Sequence, residues 1–299
     1  MNPSGGGAET VVVHVSDLHL EPRETEQYRG VVERLQRIQA TIRDIGAGLV
    51  VATGDLTNRG AAYADHFEMA RRWLDGLDTP YLAVPGNHDL GANPERGRMF
   101  PEYERYEAVP FADTGYAGAF GADLVPRATA GPLTVLGVVL REDDPDDALS
   151  VLAAEIARAP GPVLVAGHYP VVETRRIPSI EHFGARGYVD RAAERLRELL
   201  AGSENVVAYL CGHVHLTSLR AISPGCAQFT AGGLGPGEAS FRIYRVSGGS
   251  LHYSTNRVEG PRTFWEGGSA EARSIPYFSS GTEEERRGVL PVPASISHG

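Results

Sequence analysis

With 299 residues, 42% of them hydrophobic, the chain is long enough to bury a large core, and no repeat or composition break divides it, which favours one domain over two. A net charge of −10 argues against an extended hold on a nucleic acid polymer, because phosphate backbones are gripped by clustered Lys and Arg, while a small anionic ester held by local positive charge stays open. The two cysteines, Cys211 and Cys226, suggest neither a thiolate site nor a disulfide framework, and the leader "MNPSGGGAET" and the lack of any run of about 18 apolar residues predict a cytoplasmic protein that does not cross a membrane.

In chain order, "TVVVHVS", "GLVVATG", "PYLAVPG", "LTVLGVVL", "PVLVAGH" and "VVAYLCG" read as buried strands. Helical stripes lie between several of them. The first is Val31, Leu35, Ile38, Ile42 and Ile45; the second is Tyr63, Phe67, Ala70, Leu74 and Leu77. A third helix, with Asp144 as N-cap and Pro145 in its first turn, turns Leu149, Leu152 and Ile156 inward. A fourth carries Val189, Ala192, Leu196 and Leu199. Two segments, Leu90 to Pro132 and Val171 to Gly187, read as irregular loops overhanging a site. "SFRIYRVSGGSLHYS" reads as a hairpin turning at Gly248 and Gly249, and from Asn256 the pattern weakens into a mobile tail. The expectation is an α/β domain over residues 11–255, with a flexible leader at 1–10 and a partly disordered C-terminal extension at 256–299.

Five strand ends carry the same kind of chemistry. "SDLHL" supplies Asp17 and His19, "TGDLTNRG" supplies Asp55, "PGNHDL" supplies Asn87, His88 and Asp89, "AGHYP" supplies His168, and "CGHVH" supplies His213 and His215. Residues just past the carboxyl ends of neighbouring strands converge on one crevice in open α/β sheets. Imidazole, carboxylate and amide oxygen without thiolate suit divalent Mn, Fe, Zn or Co. The candidates are too numerous for one ion and fit two, the arrangement used to clamp attacking and leaving oxygens in phosphoryl displacement. Of the other histidines, His14 reads as a hydrogen-bonded sheet residue, and His66, His252 and His298 have no matching partner. Cys211, inside an apolar run, reads as a small core residue.

In this order the motifs DxH, GD, GNHD, a lone His and GHxH resemble those of the calcineurin-like metallophosphoesterase superfamily, over roughly Val11 to Arg245. The resemblance implies a four-layer αββα sandwich with two mixed sheets. It also implies Asp17, His19 and His215 on one metal, Asn87, His168 and His213 on the other, and Asp55 bridging both. His88 matches the residue that faces substrate, and Asp89 the one that orients His88.

Within that superfamily "GDLTNRG" is similar to the Ser/Thr protein phosphatase motif, but Pro85 precedes Gly86 and Asp89 follows His88, which counts against that branch. The pattern looks most like the class III cyclic-nucleotide and glycerophosphodiester phosphodiesterases. The implied activity is hydrolysis of a small phosphodiester such as a 3′,5′-cyclic nucleotide. The alternatives are a small-molecule phosphomonoesterase and, more remotely, a metal-free binding scaffold. Few basic residues flank the motifs apart from Arg59, which suits a diester monoanion better than a monoester dianion. Arg175, Arg176 and His182 are further candidates for substrate contact, and Phe100, Tyr103, Tyr106, Phe111 and Phe183 for an aromatic rim.

Overall fold

Alternate positions of the central strands carry separate apolar sets, and the two sets face different layers. In β1 (Thr10–Val15) and β2 (Leu49–Thr53), Val13, Val15, Val50 and Ala52 face α1 (Val31–Ile45) and α2 (His66–Asp75), meeting Leu35, Ile38, Ile42, Phe67 and Leu74. Val12, Leu49 and Val51 face the other way, onto Leu164 and Ala166 of β6 (Val163–Ala166) and Ala208 and Leu210 of β7 (Val206–Cys211). The opposite side of those strands, through Val163, Val165 and Tyr209, receives Leu149, Leu152 and Ile156 of α5 (Ala148–Arg158) and Leu196 and Leu200 of α6 (Arg191–Gly202). Helix, sheet, sheet and helix thus form four layers. The computed structural model describes residues 9–22, 30–90, 109–141, 143–174, 191–235, 239–258 and 277–292.

The first sheet has the order β12-β11-β10-β1-β2-β3, with β3 at Tyr81–Val84, β10 at Ser240–Ser247, β11 at Ser250–Arg257 and β12 at Gly288–Pro291. Its β1, β2 and β3 run parallel, and β10, β11 and β12 are added antiparallel. The second has the order β4-β5-β6-β7-β9-β8, with β4 at Arg127–Ala130, β5 at Leu133–Gly137, β8 at Ser218–Ser223 and β9 at Cys226–Thr230. Here β5, β6, β7 and β9 are parallel and the two edges antiparallel. Both sheets are mixed, as expected. Among the described residues no helix is long and apolar enough to cross a membrane.

Several local expectations are corrected. Tyr63 precedes α2 and is exposed. Helix α5 begins after Asp147, which is left-handed at φ 59°, and Asp144 caps it from upstream by accepting the N–H groups of Ala148 at 2.8 Å and Leu149 at 3.2 Å. On α6 the buried stripe is Ala193, Leu196 and Leu200, with Leu199 half-buried; Val189 and the side chain of Ala192 lie outside the described residues. The segment read as irregular contains a 3₁₀ turn at Phe111–Asp113, helix α4 (Gly115–Phe120) and strand β4. Helix α3 is the single turn Asn87–Leu90. The tail also has structure: Thr282 and Glu285 form a capping box on α7 (Glu283–Arg286), and β12 pairs with β11.

Candidate metal centre

Five parallel strands end on the same side of the two sheets, and each delivers motif residues there. Asp17 and His19 follow β1, Asp55 follows β2, Asn87 opens α3 after β3, His168 follows β6, and His213 and His215 follow β7. Backbone groups tie these ends together. Asp17 N donates to Gly54 O at 3.0 Å and His19 N to Asp55 O at 2.9 Å. Across the sheets, His213 N donates to the Asp17 carboxylate at 3.1 Å and His168 Nδ1 to Thr53 O at 2.7 Å.

The side chains form two adjoining groups. In one, His19 Nε2 lies 3.3 Å from His215 Nε2, which is 3.3 Å from Asp17 Oδ1. In the other, His168 Nε2 lies 3.1 Å from His213 Nδ1 and 3.2 Å from Asn87 Oδ1. One oxygen, Asp55 Oδ2, sits between them, 3.7 Å from His19 Nε2 and 3.4 Å from His168 Nε2. Asp17, His19 and His215, and separately Asp55, His168 and His213, offer ligand atoms within 4.8 Å of one another; so do His19, Asp55 and His88.

This donor set fits divalent cations. Two imidazole nitrogens at such distances share at most one proton, whereas ligand atoms each about 2.1 Å from a common cation stand roughly 3.0–3.4 Å apart. The carbonyl of Thr53 can only accept, so Nδ1 of His168 carries a hydrogen, and Nε2, once its own proton is displaced by a cation, turns its lone pair towards the group. The Nδ1 of His215 has no hydrogen-bond partner among the described residues.

Backbone strain is concentrated at the same positions. Asp17 (φ 53°), His19 (φ 46°), Asp55 (φ 47°), His213 (φ 67°) and His215 (φ 53°) are all left-handed, a conformation costing about 1–3 kcal/mol at a non-glycine residue. Two glycines make room for the crowding. Gly54 is itself left-handed at φ 88°, and a Cβ on Gly86 would enter the Asp55 carboxylate.

Electrostatics follow from burial and proximity. Burial works to raise the Asp55 carboxyl, but His168, His88 and His19 outweigh it and hold it well below the usual carboxylate range. Asp17 is likewise lowered: burial opposes ionisation, and His215 prevails. Burial, reinforced by His88, pushes His19 down to about 3. For His168 burial works downward too, yet the neighbouring Asp55 carboxylate raises it to about 9. The carboxylates are therefore anionic before any cation arrives.

His88 stands beside both groups, its ring edge-on to His19 at 4.6 Å, its N–H donating to Asp55 Oδ1 at 2.8 Å. The expectation that Asp89 orients His88 is corrected. Asp89 instead accepts the N–H groups of Gly86, Leu56 and Thr57 and the Thr57 hydroxyl, at 2.9, 3.0, 3.0 and 2.7 Å, and so braces the β3 end against the β2 end. Burial, with the Asp55 charge, lifts its carboxyl to about 6. The group that orients His88 is the Asn58 carbonyl, which accepts from Nδ1 at 2.7 Å. Sequence reasoning passed over Asn58 because a main-chain oxygen leaves no mark on residue type. It also passed over Tyr169, whose ring packs edge-on against His168 and His213 at 5.0 and 4.9 Å.

Other expectations divide clearly. Arg175, Arg176, His182, Phe100, Tyr103, Tyr106 and Phe183 lie outside the described residues, as does His298. Phe111 is buried against Tyr116 in the core and is no rim residue. His14 is a buried sheet histidine between Tyr244 Oη and Thr53 Oγ1, and Cys211 is a buried thiol pushed up to about 12 by burial.

Comparisons with known proteins agree with this geometry. A sequence profile described as calcineurin-like phosphoesterase matches residues 10–216. A probable glycerophosphodiester phosphodiesterase of Arcobacter nitrofigilis is 28% identical over 213 residues, covering 70% of this chain and 72% of its own. A probable cyclic nucleotide phosphodiesterase of a Synechococcus species is 26% identical over 213 residues, covering 70% and 75%. The crystal structure of a dimetal phosphatase from Danio rerio has a TM-score of 0.58 at 15% identity, covering 83% of this chain and 96% of that one, and so shares the fold.

Proposed function

The chain belongs to the calcineurin-like phosphoesterase family, and from that premise we propose that it is a two-metal hydrolase of small phosphodiesters, with a 3′,5′-cyclic nucleotide the favoured substrate. The observation that carries this reading is the single oxygen Asp55 Oδ2 facing imidazole nitrogens of both groups. Asp17, His19 and His215 would hold one ion, Asn87, His168 and His213 the other, and Asp55 both. When bound, two divalent ions neutralise phosphoryl charge and supply a nucleophile at neutral pH.

The chain's own residues do the rest. The anionic Asp17 and Asp55 offset the cations, and the Thr53 carbonyl keeps the His168 ring in its ligating tautomer. His88, with Nδ1 fixed on Asn58 O, presents Nε2 to the departing oxygen and gives it a proton. Asp89 holds the helical turn α3, which carries His88, in register with the β2 end.

The preference for a diester rests on charge and on the relatives. Arg59, beside the GD motif, has its guanidinium over the Tyr63 ring at 4.9 Å. The two relatives carry the names of a glycerophosphodiester and a cyclic nucleotide phosphodiesterase. The test is a metal-reconstituted screen of bis(p-nitrophenyl) phosphate, p-nitrophenyl phosphate, cyclic nucleotides, glycerophosphodiesters and nucleoside monophosphates. Diesters are expected to have the highest kcat/KM. Monoester turnover at least about 100-fold more efficient than every diester, a difference of about 2.7 kcal/mol in transition-state stabilisation, would replace this reading with a phosphomonoesterase.

A further inference from the structure

We propose that Glu21 is a positioning residue for His88, acting through Asn58; the inference rests on the reading of His88 as proton donor. The Asn58 peptide lies where the β2 end runs beside the residues after β1. Its N–H donates to Leu20 O at 2.9 Å, and its side-chain Nδ2 donates to Glu21 Oε2 at 2.7 Å. Its carbonyl accepts from His88 Nδ1 at 2.7 Å. Glu21 is half-buried and is absent from the candidate ligand groups found among the described residues.

The main chain of His88 is fixed independently, by His88 N to Asp55 Oδ1 at 2.8 Å and Ala61 N to His88 O at 3.0 Å. The imidazole therefore has a settled origin, and its rotation is governed by the hydrogen bond at Nδ1. That bond is as well placed as the Asn58 carbonyl. Beyond its own N–H, the Asn58 peptide is held through its side chain by a charge-assisted bond to a carboxylate, stronger than a bond to a neutral acceptor. A small rotation of the ring would move Nε2 off the line to the leaving oxygen, and misplacement by about 1 Å is costly in an aligned reaction. Glu21 thus governs how the proton is delivered, and leaves ion and substrate binding untouched.

A double-mutant cycle of Glu21→Ala and His88→Ala, with saturating divalent metal and ion content measured for each variant, tests this directly. On an alkyl aryl phosphodiester with a poor leaving group, Glu21→Ala is expected to lower kcat about tenfold, with KM and ion content unchanged and a smaller loss on bis(p-nitrophenyl) phosphate. Glu21→Gln, which keeps an oxygen for Asn58 Nδ2, should stay within about threefold of the natural protein. In the His88→Ala background, Glu21→Ala should cost less than about twofold. Equal losses in both backgrounds, a loss of bound ions, or no loss in kcat would each overturn the role of Glu21 while leaving that of His88 standing. Full activity of His88→Ala would overturn both together.

Discussion

At the scale of single residues, His88 and His14 put imidazoles to different uses. Because Asn58 O fixes the hydrogen on His88 Nδ1, the ring has one nitrogen left for chemistry. His88→Ala is expected to retain both ions and lose roughly 10²- to 10⁴-fold in turnover, the range for a general acid, with the loss shrinking as leaving groups improve. An equal loss across leaving groups would show electrostatic support instead. His14 is a stability element. Burial, aided by Arg242, lowers it from 6.5 to about 3, so the folded chain keeps it neutral while the unfolded chain takes up a proton below about pH 6.5. Its contribution is complete above pH 6.5 and is lost as pH falls towards 3. Urea unfolding between pH 6 and 4 should lose stability with a slope that His14→Gln reduces by up to about 1.4 kcal/mol per pH unit, the value for one proton. An unchanged slope would contradict the assignment.

At the scale of elements, the C-terminal segment joins the two sheets next to the centre. Arg242 of β10 is fully buried and donates to the carbonyls of Thr230 on β9 at 3.0 Å, Ser218 on β8, and Glu285 on α7 at 2.9 Å. Glu285 also pairs with Arg220 at 2.8 Å, and Thr217, close to His215, donates its N–H to Ser279 O at 2.9 Å. Arg242→Met would strand several buried carbonyls, at about 1–3 kcal/mol for each left unsatisfied, so a loss on the order of 3 kcal/mol or more is expected in urea unfolding. A change below about 1 kcal/mol would contradict this role.

These contacts also mark where the sequence stops being legible. The four residues of β12 are too few to show a period, and their partner strand is distant in the chain, so the tail reads as unpatterned. On α6, Ala192 and Ala193, and Leu199 and Leu200, are adjacent pairs of one residue type, so spacing alone leaves the stripe free to slip by one position. The strand-end motifs were legible for the opposite reason: ligating chemistry needs particular side chains at particular places. The carbonyls that orient the histidines are set by tertiary packing and leave no trace in residue type, and the left-handed backbone that aims the ligands leaves only the faint one that Asp and His adopt it more readily than most residues.

At the scale of the whole molecule, the candidate ligands come from both sheets and meet only when the inter-sheet core of Val12, Val51, Leu164, Ala166 and Leu210 is packed. Ion binding and sheet packing are therefore linked. Divalent metal at about 100 times its dissociation constant should raise unfolding stability by about 2.7 kcal/mol for each ion, and a chelator should remove that gain. A urea midpoint independent of metal would contradict the link. The same dependence on both sheets gives Asp55 its importance, since its Oδ2 faces imidazole nitrogens of both groups. The most direct measurement is a metal titration of the ion-free protein, following bound ions per chain by elemental analysis together with phosphodiester turnover, in the natural chain and in Asp55→Ala. Turnover should rise until two ions are bound per chain, and Asp55→Ala should fail to hold the pair and remain inactive; full turnover with one ion or none would contradict the two-metal account.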